Sequence, residues 1–143
     1  MIQIVRVIDD LPVDFPRLRA EAAAEGVRNM DLLARQWADG ANRFDGQGEA
    51  LFAAFVDGEL AGVGGVSAET GLAAMRMRRL YVRPSFRRRG VASALAAAMI
   101  QQGLQGARLL TVNAAASLAA PPFWEALGFR RSGRAGVTHQ LEG

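Results

Sequence analysis

The sequence predicts a mixed α/β domain built on a central sheet, and three observations carry that prediction. Apolar runs of strand length alternate with runs of helical periodicity along the 143 residues, the pattern of helices packed on a sheet. Asp57-Gly58 sits between two β-type runs, the two-residue signal of a tight hairpin. A strand-like stretch then passes through Pro84 and three consecutive arginines, Arg87 to Arg89, into a small-residue helix opened by Gly90.

The elements follow in order. IQIVRV (2–7) alternates and reads as a strand. DFPRLRAEAAAEG (14–26) is a helix, with Pro16 in its first turn and Gly26 as its stop. NMDLLARQWADG (29–40) is a second helix, because Met30, Leu33 and Trp37 recur at helical spacing. A polar loop over 41–48 precedes the hairpin of 50–66. After a turn at 67–71, LAAMRMRRLYV (72–82) reads as a strand whose alternation breaks near Arg79. A one-residue bulge there puts Met75, Met77, Leu80 and Val82 on one face and Tyr81 on the other. Pro84 ends this strand. A helix runs from Gly90 to about Gln102, with Val91, Leu95, Ala98 and Met99 on one stripe. ARLLTVN (107–113) is a strand, LAAPPFWEAL (118–127) holds a short helix, and GVTHQLE (136–142) closes as a strand, with room for another at 129–131. The expected order is β-α-α-β-β-β-α-β-α-β in a single domain over residues 1–143.

Composition narrows the function. Half of the residues are hydrophobic, which argues against disorder. No apolar segment approaches the roughly 20 residues of a membrane span. No basic-then-apolar leader is visible, so a cytoplasmic location away from membranes is expected. Without cysteine there is no thiol nucleophile or thiolate site, and the lone His139 cannot build a multi-histidine metal site; no metal is expected. All 17 basic residues are arginine, and seven fall between Arg76 and Arg89. Codon bias explains arginine in place of lysine but not the clustering. Arginine forks match phosphate and carboxylate oxygens. Nucleic acid is a poor match, since no aromatic stacking platform is interleaved among the arginines.

A strand that feeds through an Arg- and Gly-containing loop into a helix can hold a phosphate. The first helical amides lack intrahelical partners, and the helix dipole adds positive potential there. The rival reading of Arg87 to Arg89 is a solvated turn.

Here the residues resemble the GNAT N-acetyltransferases. The family's acetyl-CoA signature, Gln/Arg-x-x-Gly-x-Gly/Ala, is matched by Arg87-Arg88-Arg89-Gly90-Val91-Ala92, preceded by the family-like LYVRPSF. PFWEALGFRRSG resembles the family's short helix and aromatic-Gly-Phe turn, and the FVDGELAGVGG hairpin and element order match as well. The resemblance implies a GNAT-like fold with a bulged central strand and a splayed cofactor cleft. It implies an acetyl-CoA-dependent N-acetyltransferase acting directly on a primary amine of a small-molecule or amino-acid-like acceptor, with no covalent intermediate. It also leaves a homodimer open.

The same resemblance assigns roles. Backbone groups of Leu80, Tyr81 and Val82 would bond the pantetheine arm, and a freed amide would polarise the thioester carbonyl. Amides of Arg87, Arg88, Arg89, Gly90, Val91, Ala92 and Ser93 would cradle the pyrophosphate. Two positions depart from the family. Trp124 stands where a tyrosine commonly protonates the leaving thiolate, and indole can only donate a hydrogen bond. Arg76 stands where some relatives place a glutamate base, and it cannot deprotonate an ammonium. Arg76, Arg78 and Trp37 are candidate acceptor contacts, Arg76 as a carboxylate clamp. Ser117, where many relatives carry an asparagine near the cofactor, is a candidate cofactor contact and proton donor. Tyr81, His139, Glu69 and Asp45 are further acid–base candidates. Each has a packing or solvated-loop alternative; for Trp37, Phe123 and Trp124 packing is the default. The missing tyrosine makes a catalytically weak acyl-CoA-binding regulatory module the alternative function.

Overall fold

The computed structural model describes residues 1–115 and 117–143. Its strands are β1 (Ile2–Val7), β2 (Ala50–Val56), β3 (Glu59–Ala68), β4 (Met75–Val82), β5 (Leu109–Val112), β6 (Arg130–Arg131) and β7 (His139–Glu142). The helices are α1 (Phe15–Ala24), α2 (Asn29–Asp39), α3 (Val91–Gly106) and α4 (Ala120–Ala126), with a 3-10 turn over Pro84–Phe86. The strands form one sheet in the order β1-β2-β3-β4-β5-β7-β6. Every pairing is antiparallel except β4 with β5.

The hairpin expected at Asp57-Gly58 forms because both residues take positive φ, 50° and 84°, the backbone of a turn that matches strand twist. Two apolar clusters cover the sheet's two faces. Met75, Met77, Val91, Leu95, Met99 and Trp124 belong to one, beneath α3 and α4, with Leu80 and Val82 packed at its margin. Phe15, Leu18, Met30, Leu33, Trp37 and Tyr81 belong to the other, beneath α1 and α2. The β4 parity expected from the sequence therefore holds. Between Val63 opposite Tyr81 and Gly65 opposite Arg78, two residues of β4 oppose Gly64 alone. Arg79 absorbs the extra residue at φ 60°.

Three boundaries differ from the sequence reading by three residues or more. β4 starts at Met75, not at 72, because Glu69 N–H bonds Ala74 C=O at 2.9 Å and closes residues 69–74 as a turn. α3 continues to Gly106, past Gln102; a side chain at Gly103 would collide with Leu110, so glycine lets the helix lie close on β5. On its stripe Ala96 is buried and Ala98 only half-buried. β7 begins at His139, because Ser132 N–H bonds Thr138 C=O at 2.9 Å and ties 132–138 into a turn.

Candidate active site

β4 and β5 pair only at Met75 with Leu110 and Arg76 with Thr111. Beyond those residues the strands part, and a cleft of about 610 Å³ opens between them. Its α3-side wall is apolar: Leu80 and Val82 of β4, Ala92 of α3, Ala114, and Phe123 and Trp124 of α4. Trp124 is fixed edge-on between Phe123 and Phe129, at centroid distances of 5.1 and 5.2 Å. It is a rigid wall of the cleft.

The backbone edge of β4 faces the same opening. Arg83 N–H donates to Ala61 C=O on the β3 side at 2.8 Å. By the alternation of an antiparallel pair, Val82 turns its amide and carbonyl to the opposite edge, which β5 has left. Among the described residues, the Val82 carbonyl accepts from Arg87 Nε, at 3.1 Å.

At the far end of that edge the chain turns into α3. Arg88 and Gly90 both take left-handed φ, 62° and 81°, which fold the loop back on itself. Glycine is required at 90 by this conformation, since a Cβ there would meet nothing closer than Ile2 at 4.0 Å. The first helical bond is Ala94 N–H to Gly90 C=O, and no side chain caps the helix. Among the described residues, the amides of Arg88 through Ser93 have no backbone acceptor. Successive free amides on a left-handed turn at a helix N-terminus form a concavity for an anion. Val91 sends its side chain into the core, so only its backbone serves this concavity. The side chains of Arg88 and Arg89 are exposed.

The α1–α2 end of the cleft is polar. Glu25, at the end of α1, accepts from Arg87 Nη2 at 2.6 Å and Nη1 at 2.8 Å, and from the Tyr81 hydroxyl at 2.5 Å. These bonds, Arg87's first, hold the Glu25 carboxyl below the usual carboxylate range. Burial, and then the same bond to Glu25, push the Tyr81 hydroxyl up. Arg78 and Arg79 enter from β4 and Asn29 from the start of α2.

Arg78, Tyr81, Ser117 and Trp124 all line the cleft. Arg76 does not: its Nη1 pairs with Glu69 Oε2 at 3.0 Å and its Nη2 donates to Gly136 C=O. Burial acts to raise Glu69, but bonds from Thr111 and Arg76 outweigh it and leave the carboxyl lowered. Glu69 and Arg76 thus neutralise each other away from the cleft. Trp37 is buried beneath α2 with the Arg43 guanidinium over its ring at 4.8 Å, where no acceptor reaches it. His139 is buried behind α4, with Nε2 at 2.8 Å from Glu125 and Nδ1 at 2.9 Å from the Thr138 hydroxyl. Asp45 is exposed on its loop and lies outside the cleft lining.

Glu25, Asn29 and Arg79 were not singled out as site residues from the sequence. Arg79 carried a signal, the parity break that marks the bulge. Glu25 and Asn29 reach the cleft only because two helices pack on one sheet face, which no local pattern encodes.

A model of the acetyltransferase (GNAT) domain matches residues 19–142. No curated protein gives a significant match to the sequence. Among solved structures, a protein classed with the acetyltransferases from Exiguobacterium sp. 255-15 superposes with a TM-score of 0.88 at 27% identity, over 99% of this chain and 93% of its own. The ribosomal-protein-S18-alanine N-acetyltransferase of Escherichia coli shares the fold at TM-score 0.67 and 18% identity, over 98% and 89% of the two chains. A GNAT family acetyltransferase from Elizabethkingia anophelis, with acetyl-CoA bound, shares it at 0.68 and 13%, over 99% and 98%.

Proposed function

The chain belongs to the GNAT acetyltransferase family, and on that footing we propose that it transfers an acetyl group from acetyl-CoA to a primary amine of a small or amino-acid-like acceptor. The observation that carries this reading is the continuity of two backbone features. The run of free amides from Arg88 to Ser93 opens directly from the vacated edge of β4. The first suits a pyrophosphate; the second suits an amide-bearing arm with a thioester at its end.

In this reading Val82 and its neighbours bond the pantetheine arm, while Leu80, Phe123 and Trp124 enclose its apolar part. The amine lone pair attacks the thioester carbonyl carbon, and a β4 amide aimed at the carbonyl oxygen stabilises the oxyanion. The C–S bond then breaks, its electron pair leaves on the CoA sulfur, and the nitrogen's proton passes to solvent. No enzyme nucleophile takes part. Glu25 is a poor base, because Arg87 and Tyr81 already hold its carboxylate. Tyr81 is a poor acid because its hydroxyl is held by Glu25, and Ser117, exposed on the cleft rim, is the other hydroxyl among the described lining residues. A cytoplasmic location, where acetyl-CoA is made and used, accompanies this proposal.

Thiol release from acetyl-CoA over a panel of amines tests it. Acceleration by some amines, with N-acetylated product and no acetylated protein, is the expected result. Tight acetyl-CoA binding with no amine-dependent release would replace the enzyme by an acyl-CoA-binding module.

A further inference from the structure

We propose that the acceptor amine also carries a carboxylate, and that Arg78 and Arg79 hold this carboxylate at the α1–α2 end of the cleft. The inference deepens the N-acetyltransferase reading and rests on it for the identity of the cleft.

Four guanidiniums of this region were candidates for an acidic ligand: Arg76, Arg78, Arg79 and Arg87. Two are taken by protein carboxylates, Arg76 by Glu69 and Arg87 by Glu25. Among the described residues, Arg78 and Arg79 bond only neutral partners. Arg78 Nε donates to the Ser67 hydroxyl at 2.7 Å, and Arg79 Nη2 donates to the Gln36 side-chain oxygen at 3.2 Å. Arg79 Nε is buried with no acceptor among the described residues. Burial and the neighbouring guanidiniums disfavour the charge on Arg79, and burial does the same to Arg78. Glu69 and Glu49 offset part of this at Arg78 through their charge, but among the described residues neither forms an ion pair with it, and no carboxylate offsets Arg79. Two half-buried cations without a paired carboxylate are costly in a folded protein unless a ligand completes them.

A second unfilled group faces the same cleft. Asn29 Oδ1 is buried and accepts no hydrogen bond among the described residues. The unmet needs of this pocket are therefore an anion for two arginine forks and an N–H donor for one carboxamide oxygen. An amine bearing a carboxylate supplies both, and a polycationic amine supplies only the second. The two guanidiniums also favour the neutral form of a nearby amine, which is the nucleophilic form that no free carboxylate in the cleft is placed to generate.

The test is calorimetry on the 143-residue chain saturated with CoA, using reaction-product probes of three side-chain sizes. N-acetylalanine, N-acetylglutamine and N-acetylphenylalanine are compared with their C-terminal amides. At least one acid is expected to bind tenfold or more tightly than its amide, as loss of a charge-assisted pair implies. Arg79→Asn, chosen because asparagine tolerates the left-handed φ, and Arg78→Gln should each reduce that ratio to near one while CoA affinity is retained. Equal binding of acid and amide in all three pairs would overturn the proposal, as would an acid preference that survives in both variants. A carboxylate preference without amine-dependent thiol release would leave this site standing and refute the transferase reading instead.

Discussion

The Glu25 carboxylate grips both terminal nitrogens of Arg87, at 2.6 and 2.8 Å, and so ties the end of α1 to the loop that precedes α3. One ion pair joins the helical cover at the α1–α2 end of the cleft to the amide-rich turn before α3. Both side chains are partly exposed, so solvent screens the pair, which is worth about 0.5–1 kcal/mol.

That pair carries a pH signature. Bonds from Arg87 and then Tyr81 lower the folded pKa of Glu25 below its ordinary 4.5. A lowered carboxyl stabilises the fold above its unfolded pKa, and the contribution disappears as pH falls through the folded value. Glu25→Gln should therefore have a lower urea midpoint than wild type at pH 7. The gap should close below pH 4.5. A gap that does not shrink between pH 4.5 and about pH 3 would refute the linkage, since the unfolded chain takes up a proton there that the folded carboxylate resists.

Tyr81→Phe bears on the leaving group. The hydroxyl already donates to Glu25 and its ionisation is pushed up, so it has no proton to offer the sulfur. The substitution should cost about 1 kcal/mol of stability and change kcat by less than about threefold, against the ~10²-fold or greater loss expected of a general acid. A hundredfold fall in kcat at unchanged acetyl-CoA affinity would restore Tyr81 as the acid.

Arg83 is 7% exposed and closes β4 against α1 through Glu21, with both Nε and Nη2 at 2.9 Å from the carboxylate. Glu21→Gln leaves a buried guanidinium without its counter-charge. A loss of about 2 kcal/mol, seen as a fall in Tm of roughly 6 °C, is expected. A change below about 1 °C would mean that the Leu60 carbonyl, 2.7 Å from Nη1, suffices to hold Arg83.

The legible parts of this protein were those written into short stretches of chain. The bulge at Arg79 showed as a break in the alternation of Met75, Met77, Leu80 and Val82. The hairpin showed as Asp57-Gly58, and the amide-rich turn as Gly90 before a helix. The α1–α2 end of the cleft was not legible, because its members come from α1, α2 and β4 and meet only through packing. Arg76 illustrates the difference. Its place in the strand was read correctly, but its partner Glu69 sits across a turn whose closure the sequence did not disclose. The carboxylate clamp expected of it therefore passes to Arg78 and Arg79 as a proposal.

The most direct measurement is the calorimetric titration of acetyl-CoA into wild type and Gly90→Asp. Aspartate at the left-handed φ of 81° costs about 1 kcal/mol, but its Cβ meets open space, so the fold survives the change. The aspartate does, however, place a negative charge where the pyrophosphate would sit. Wild type is expected to bind one acetyl-CoA per chain, and the variant to bind at least thirtyfold more weakly with its Tm lowered by no more than about 5 °C. Equal affinity in the two proteins would contradict the assignment of the α3 N-terminus as the pyrophosphate site.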